Sequence, residues 1–98
     1  MINISISKSL TNYHIDINGH AGSGTAGNDI VCAGVSALAY TLRTQAMKIN
    51  ALDKFDESDG IKLDINRSWQ SDEAVDTLSS GFQLMAITYP KNIKLKFS

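Results

Sequence analysis

His20 and Cys32 are the residues whose types and spacing could carry covalent chemistry in this sequence. Cys32 is the only cysteine among 98 residues, and His20 is one of two histidines. A thiol paired with an imidazole can attack a carbonyl carbon as thiolate, with the imidazole then protonating the leaving group. The segment that joins them reads Gly19-His20-Ala21-Gly22-Ser23-Gly24-Thr25-Ala26-Gly27-Asn28-Asp29-Ile30-Val31-Cys32. Its glycines permit unusual backbone angles and close approach by another chain. The separation is long enough for the loop to fold back and bring both side chains together.

A helix is expected to open at the end of this loop. Asn28 or Asp29 reads as its N-cap, which puts Cys32 in the first turn. Free amides and the helix dipole at that place favour a thiolate and could hold the oxyanion formed when it attacks. An imidazolium from His20 would favour the thiolate further. Each residue alone has a plainer reading. A lone cysteine beside an apolar helical stripe is usually a small buried hydrophobe, and a lone loop histidine is usually a surface residue. The combination of histidine, glycine-rich loop, cap and cysteine is what points to chemistry. His14 falls on the polar side of a strand and is assigned no role.

The elements that must position this segment are legible from periodicity. Four stretches alternate with period two: Ile2, Ile4, Ile6; Tyr13, Ile15, Ile17; Ile61, Leu63, Ile65; and Ile93, Leu95, Phe97. Regular alternation implies a sheet wet on one face and covered on the other. From about Ile30, Val31, Val35, Leu38, Leu42, Ala46 and Ile49 form one helical stripe. A second helix is read from an N-cap near Ser71, with the stripe Val75, Leu78, Phe82, Met85 and Tyr89, and Pro90 stops it. Gly34 and Gly81 lie inside these helices, where a close crossing or simple tolerance would account for them. Residues 51–60 read mostly as a connection ending in an Asp59-Gly60 turn, with room for a short extra strand. The order β-β-α-β-α-β then predicts an α+β two-layer sandwich. Its mixed or antiparallel sheet has four or five strands, with two helices on one face. One domain covers residues 1–98.

Composition narrows the function. Nine basic residues against ten acidic ones give a net charge of −1, so there is no electrostatic footprint for direct nucleic-acid binding. A single cysteine rules out an internal disulfide. The start of the chain lacks the basic and long apolar regions of a signal peptide, and no apolar run approaches membrane-spanning length, so a cytoplasmic location is expected. Gly22-Ser23-Gly24-Thr25-Ala26-Gly27 formally matches a dinucleotide fingerprint. Its third glycine falls before the expected cap, however, and the alternating strands do not suit a parallel sheet. One cysteine and two scattered histidines make no structural zinc site, and the acidic run Asp53, Asp56, Glu57, Asp59 lacks calcium-loop spacing. No cofactor or metal is expected.

Gly19-His20-Ala21 followed by Asp29-Ile30-Val31-Cys32-Ala33-Gly34-Val35-Ser36 resembles the ribosomal-processing cysteine protease family, Prp, and the length and element order fit over nearly the whole chain. The resemblance implies that His20 is the catalytic histidine and Cys32 the nucleophile. It implies that Gly22, Ser23, Gly24, Thr25, Ala26 and Gly27 belong to a loop that orders over bound substrate. Asp29 matches an aspartate just before the nucleophile, either capping the helix or orienting His20. Ser36, one turn beyond Cys32, reads as a packing or hydrogen-bonding residue. The implied substrate is the N-terminal extension of a large-subunit ribosomal protein, the twenty-seventh, cut after an aromatic residue and before a small one. A homodimer is implied as well. The alternative from the residues themselves is a non-enzymatic, ribosome-associated or regulatory protein-binding module.

Overall fold

The computed structural model describes residues 1–19 and 26–98, and of residues 26–29 it describes the backbone. Strands β1 (Ile2–Lys8) and β2 (Asn12–Gly19) form a hairpin, and helix α1 (Ala26–Lys48) follows. Strands β3 (Leu52–Asp56) and β4 (Ile61–Asn66) come next, then helix α2 (Trp69–Thr88) and strand β5 (Ile93–Phe97). The five strands form one sheet in the order β3-β4-β2-β1-β5. Among the described strands only β1 and β5 run parallel, so the sheet is mixed. The α+β architecture expected from periodicity is therefore present, with the fifth strand in the 51–60 segment.

Register explains why one face is dry. Ile4 lies opposite Ile17, Ile6 opposite Ile15, and Ile15 opposite Leu63, so the apolar sets of three strands coincide. Those residues are buried together with Val31, Val35, Ala39, Leu42 and Ala46 of α1 and Val75 and Phe82 of α2. The other face carries Asn3, Ser5, His14, Asp16, Lys62 and Asp64. There Asp16 faces Lys62 across the strands, and the His14 ring contacts the Asp64 carboxylate. Phe97 departs from the expected pattern. It is 49% exposed, because β5 is an edge strand and Phe97 borders an open groove beside Ser79 and Gln83 of α2.

The two helices cross closely, and glycine makes the crossing possible. A Cβ at Gly34 would lie 2.7 Å from the Met85 terminal methyl, and one at Gly81 would lie 2.7 Å from Leu38 Cδ2. Each helix thus receives a side chain of the other at a position with none of its own.

Both helix starts differ from expectation. α2 is capped by Ser68, not Ser71: the Ser71 amide donates to Ser68 Oγ at 3.1 Å, and the Ser68 amide donates to Ser71 Oγ at 2.7 Å. Ser71 fills the third helical position of this reciprocal box, where Glu or Gln is usual, so its side chain signals the same helix start from inside. α1 begins at Ala26, before both Asn28 and Asp29. Once packing holds the helix downstream, each residue added at its start gains a hydrogen bond cheaply, which overrides a local capping preference.

A polar cluster ties the β1–β2 turn to α2. The Tyr13 hydroxyl donates to Asp72 Oδ1 at 2.7 Å, and Arg67 Nε donates to the same oxygen at 3.2 Å. Arg67 Nη1 also donates to the Ser9 carbonyl at 3.0 Å. The Arg67 and Tyr13 hydrogen bonds hold the Asp72 carboxyl below its ordinary range. A lowered folded value means that its stabilising contribution is complete above the unfolded carboxylate range, about pH 4, and fades as pH falls through the folded value. Asp72→Asn should therefore flatten the loss of stability on acidification below about pH 4. Urea midpoints of wild type and variant from neutral pH downward would check this; parallel curves would mean that the cluster is not coupled to folding.

Candidate active site

Cys32 sits in the second turn of α1, half-buried and packed against the core. With the helix starting at Ala26, the unpaired amides belong to the residues before Cys32, and its own amide lies within the hydrogen-bonded helix. Cys32 is therefore not in the first turn, and its amide is not free to hold an oxyanion. Ala26 and Gly27, expected in the loop, belong to the start of α1. Asp29 is the fourth residue of α1 and so is not its N-cap. His20, Gly22, Ser23, Gly24 and Thr25 lie outside the described residues.

Around Cys32 is a hollow of about 200 Å³ at one end of the sheet, under the second and third turns of α1. Ile2 from the start of β1, Ile17, Asn18 and Gly19 from the end of β2, and Gly60 and Ile61 from the start of β4 line it. Val35 and Ser36 complete the lining from α1, so Ser36 shares the face of Cys32 as expected. Sequence reasoning had no means to find Ile61 or Gly60 here, since they join Cys32 only through strand register. Ile61 lies opposite Ile17, and Gly19 opposite Ile2.

Two glycines are locked into this end. Gly19 has φ +87°, and a Cβ there would lie 2.2 Å from the Met1 carbonyl oxygen. Gly60 has φ +78°, and its Cβ would lie 2.4 Å from the Ile17 carbonyl oxygen. L-residues avoid such angles, and neither carbonyl can yield as a side-chain tip would. Gly19 is also the last residue of β2, so the chain leaves the sheet there, at the edge of the hollow that holds Cys32.

The sequence matches the cysteine protease Prp family over residues 1–94. The chain belongs to that family. It is thus a cysteine protease related to ribosomal-processing enzymes. The essential ribosomal processing protease Prp from S. aureus, in complex with a substrate peptide, is 26% identical, with a TM-score of 0.73 and 100% of each chain covered. The same S. aureus protease with a covalently linked product peptide superposes with a TM-score of 0.76 at 23% identity over 100% of each chain, a likeness of fold. SMU.848 from Streptococcus mutans is 27% identical with a TM-score of 0.70, covering 99% of this chain and 93% of its own. No curated protein sequence matches. The arrangement around β2 is also unlike a dinucleotide site, because β2 is antiparallel to both its neighbours, β1 and β4, and no parallel βαβ unit spans the glycine-rich segment. Among the described residues, no helix is long and apolar enough to cross a membrane.

The two kinds of glycine should respond differently to a methyl group. Gly60→Ala meets both a left-handed backbone and a carbonyl oxygen, and should lower stability by about 2 kcal/mol or more. At Gly34 the obstacle is the end of a flexible methionine, while alanine favours the helix by roughly 1 kcal/mol, so Gly34→Ala should change stability by less than about 1 kcal/mol. Urea denaturation of the two variants measures both. Equal losses would show that the hollow's rim is not specially constrained.

Proposed function

We infer that this protein is a bacterial, cytoplasmic endopeptidase that removes the N-terminal extension of a large-subunit ribosomal protein, the twenty-seventh by number. Membership of the Prp family over residues 1–94 carries the reading. The S. aureus relative with a substrate peptide supports a peptide as the class of molecule acted on. The enzyme works as a homodimer and, with a net charge of −1, recognises protein rather than nucleic acid.

Cys32 is the nucleophile and His20 the general base. His20 takes the thiol proton, and the sulfur of Cys32 attacks the scissile carbonyl carbon. The carbon–nitrogen bond then breaks as His20 returns the proton to the leaving amine. His20 next deprotonates a water molecule that attacks the thioester, and the thiol is regenerated as the acid product leaves. Supporting this assignment, Cys32 is half-buried rather than sealed in the core, and it shares its hollow with Gly19, the residue that immediately precedes His20. Gly22, Ser23, Gly24 and Thr25 form the substrate loop. Asp29 is a supporting residue that orients His20.

Cleavage of a peptide spanning the extension's junction tests the whole reading. Cys32→Ala should abolish turnover and leave the urea midpoint nearly unchanged; retained turnover would remove Cys32 from the mechanism. His20→Ala should lower kcat by about 100-fold or more, the usual contribution of a general base. The same variant should slow iodoacetamide labelling of Cys32 near neutral pH. Labelling at the wild-type rate would mean that His20 does not activate the thiol.

A further inference from the structure

The row of α1 that carries Cys32 runs on through Ser36 to Tyr40, each one turn beyond the last. At Tyr40, about 12 Å from Cys32 by the helical rise, this row meets the turn between β3 and β4. The Tyr40 hydroxyl donates to Glu57 Oε2 at 2.7 Å. Beside that bond the Tyr40 and Phe55 rings lie 6.3 Å apart and tilted by 57°. The Arg43 guanidinium stacks 4.2 Å from the centre of the Phe55 ring. Helix α1 thus grips the end of β3 and the turn that follows it.

Burial does not hold that turn, since residues 56–60 are all exposed. β3 is an edge strand whose pairing with β4 shifts register between Leu52 and Lys54. The Ser58 amide and hydroxyl both donate to Asp56 Oδ1, at 2.8 and 2.7 Å, which shapes the turn from within. The bond from Tyr40 differs, because it ties the turn to the helix. The hydrogen bond to Glu57 chiefly holds the Tyr40 hydroxyl above its ordinary range, so at neutral pH it is present as the donor. Soon after Glu57 in the chain, Gly60 and Ile61 line the hollow that Cys32 also lines. We propose that Tyr40 and Glu57 are positioning residues for the protease. Their bond holds the β3–β4 turn against α1, and so holds the start of β4 at the spacing from Cys32 that a bound peptide requires. The proposal rests on Cys32 being the nucleophile.

Tyr40→Phe and Glu57→Ala each remove the bond from the protein surface, and Glu57→Gln keeps an acceptor. Amide hydrogen exchange over residues 57–63, which needs neither turnover nor Cys32, should quicken about fivefold in the first two variants, the factor one hydrogen bond supplies. The double variant should be no faster than either single, and Glu57→Gln should stay near wild type. On the ribosomal-protein peptide, Tyr40→Phe and Glu57→Ala should raise KM about threefold or more and leave kcat within about twofold, as lost binding does. Glu57→Gln should restore KM. Unchanged exchange in both single variants, with near-wild-type urea midpoints, would overturn the proposal. Faster exchange with an unchanged KM would also overturn it, leaving the contact a purely structural one. Retained turnover in Cys32→Ala would separately remove the nucleophile on which it rests. If wild type leaves the ribosomal-protein peptide uncut, that substrate is wrong, and labelling of Cys32 by a bulky maleimide relative to iodoacetamide decides. A ratio raised about threefold in Tyr40→Phe supports the positioning role, on the same hydrogen-bond arithmetic, and an unchanged ratio overturns it.

Discussion

Everything in this fold depends on two helices lying side by side over the same face of one sheet, close enough to seal it. A chain of 98 residues has little apolar surface to spare, so gaps between the covering helices would be costly. The gap is closed by Leu38 reaching into the space at Gly81 and Met85 into the space at Gly34. That contact lets the two helices lie close together over the strands. Val31, Val35, Ala39, Leu42 and Ala46 then fall on the isoleucine face, and Cys32 is turned to the flank of the buried stripe.

The site follows from the place where this cover thins. Toward the start of α1 the sheet offers Gly19 and Gly60, where a side chain would meet neighbouring carbonyls, and the helix lines the hollow with Cys32, Val35 and Ser36. Small residues on both layers leave apolar surface facing a thiol. A fully packed end would gain stability and lose the hollow, the sort of exchange that functional sites commonly show.

Much of the architecture was legible in the residues because burial and periodicity coincide. Ile2, Ile4 and Ile6, and Tyr13, Ile15 and Ile17, mark strands in which every second position must be dry. β3 was harder to read, since Lys54 and the acidic residues around Phe55 leave its alternation weak. Helix starts failed for a different reason. Ser68 and Ser71 are the same residue type three positions apart, and both take part in the cap, so composition alone cannot rank them. Asn28 and Asp29 are good capping residues that sit inside a helix already begun. In the candidate site, the cysteine and its loop stood out by type and spacing. The hollow did not, because Ile2, Gly19, Cys32 and Ile61 come together only through strand register and helix packing, which no local pattern encodes.

The position of Cys32 also changes how the proposed chemistry must be powered. The field of a helix start falls off within its first turn, so a thiolate in the second turn receives less help from the dipole than one at the cap. Seven residues into α1, Cys32 has no unpaired amide of its own to offer a developing oxyanion. The weight of activation therefore shifts to an imidazole brought from outside the helix. In the proposed mechanism that group is His20, which follows Gly19, a residue of positive φ where any side chain would meet the Met1 carbonyl. Gly19 at the sheet end and Cys32 on the helix flank line one hollow, so the proposed dyad would draw on both layers of the fold.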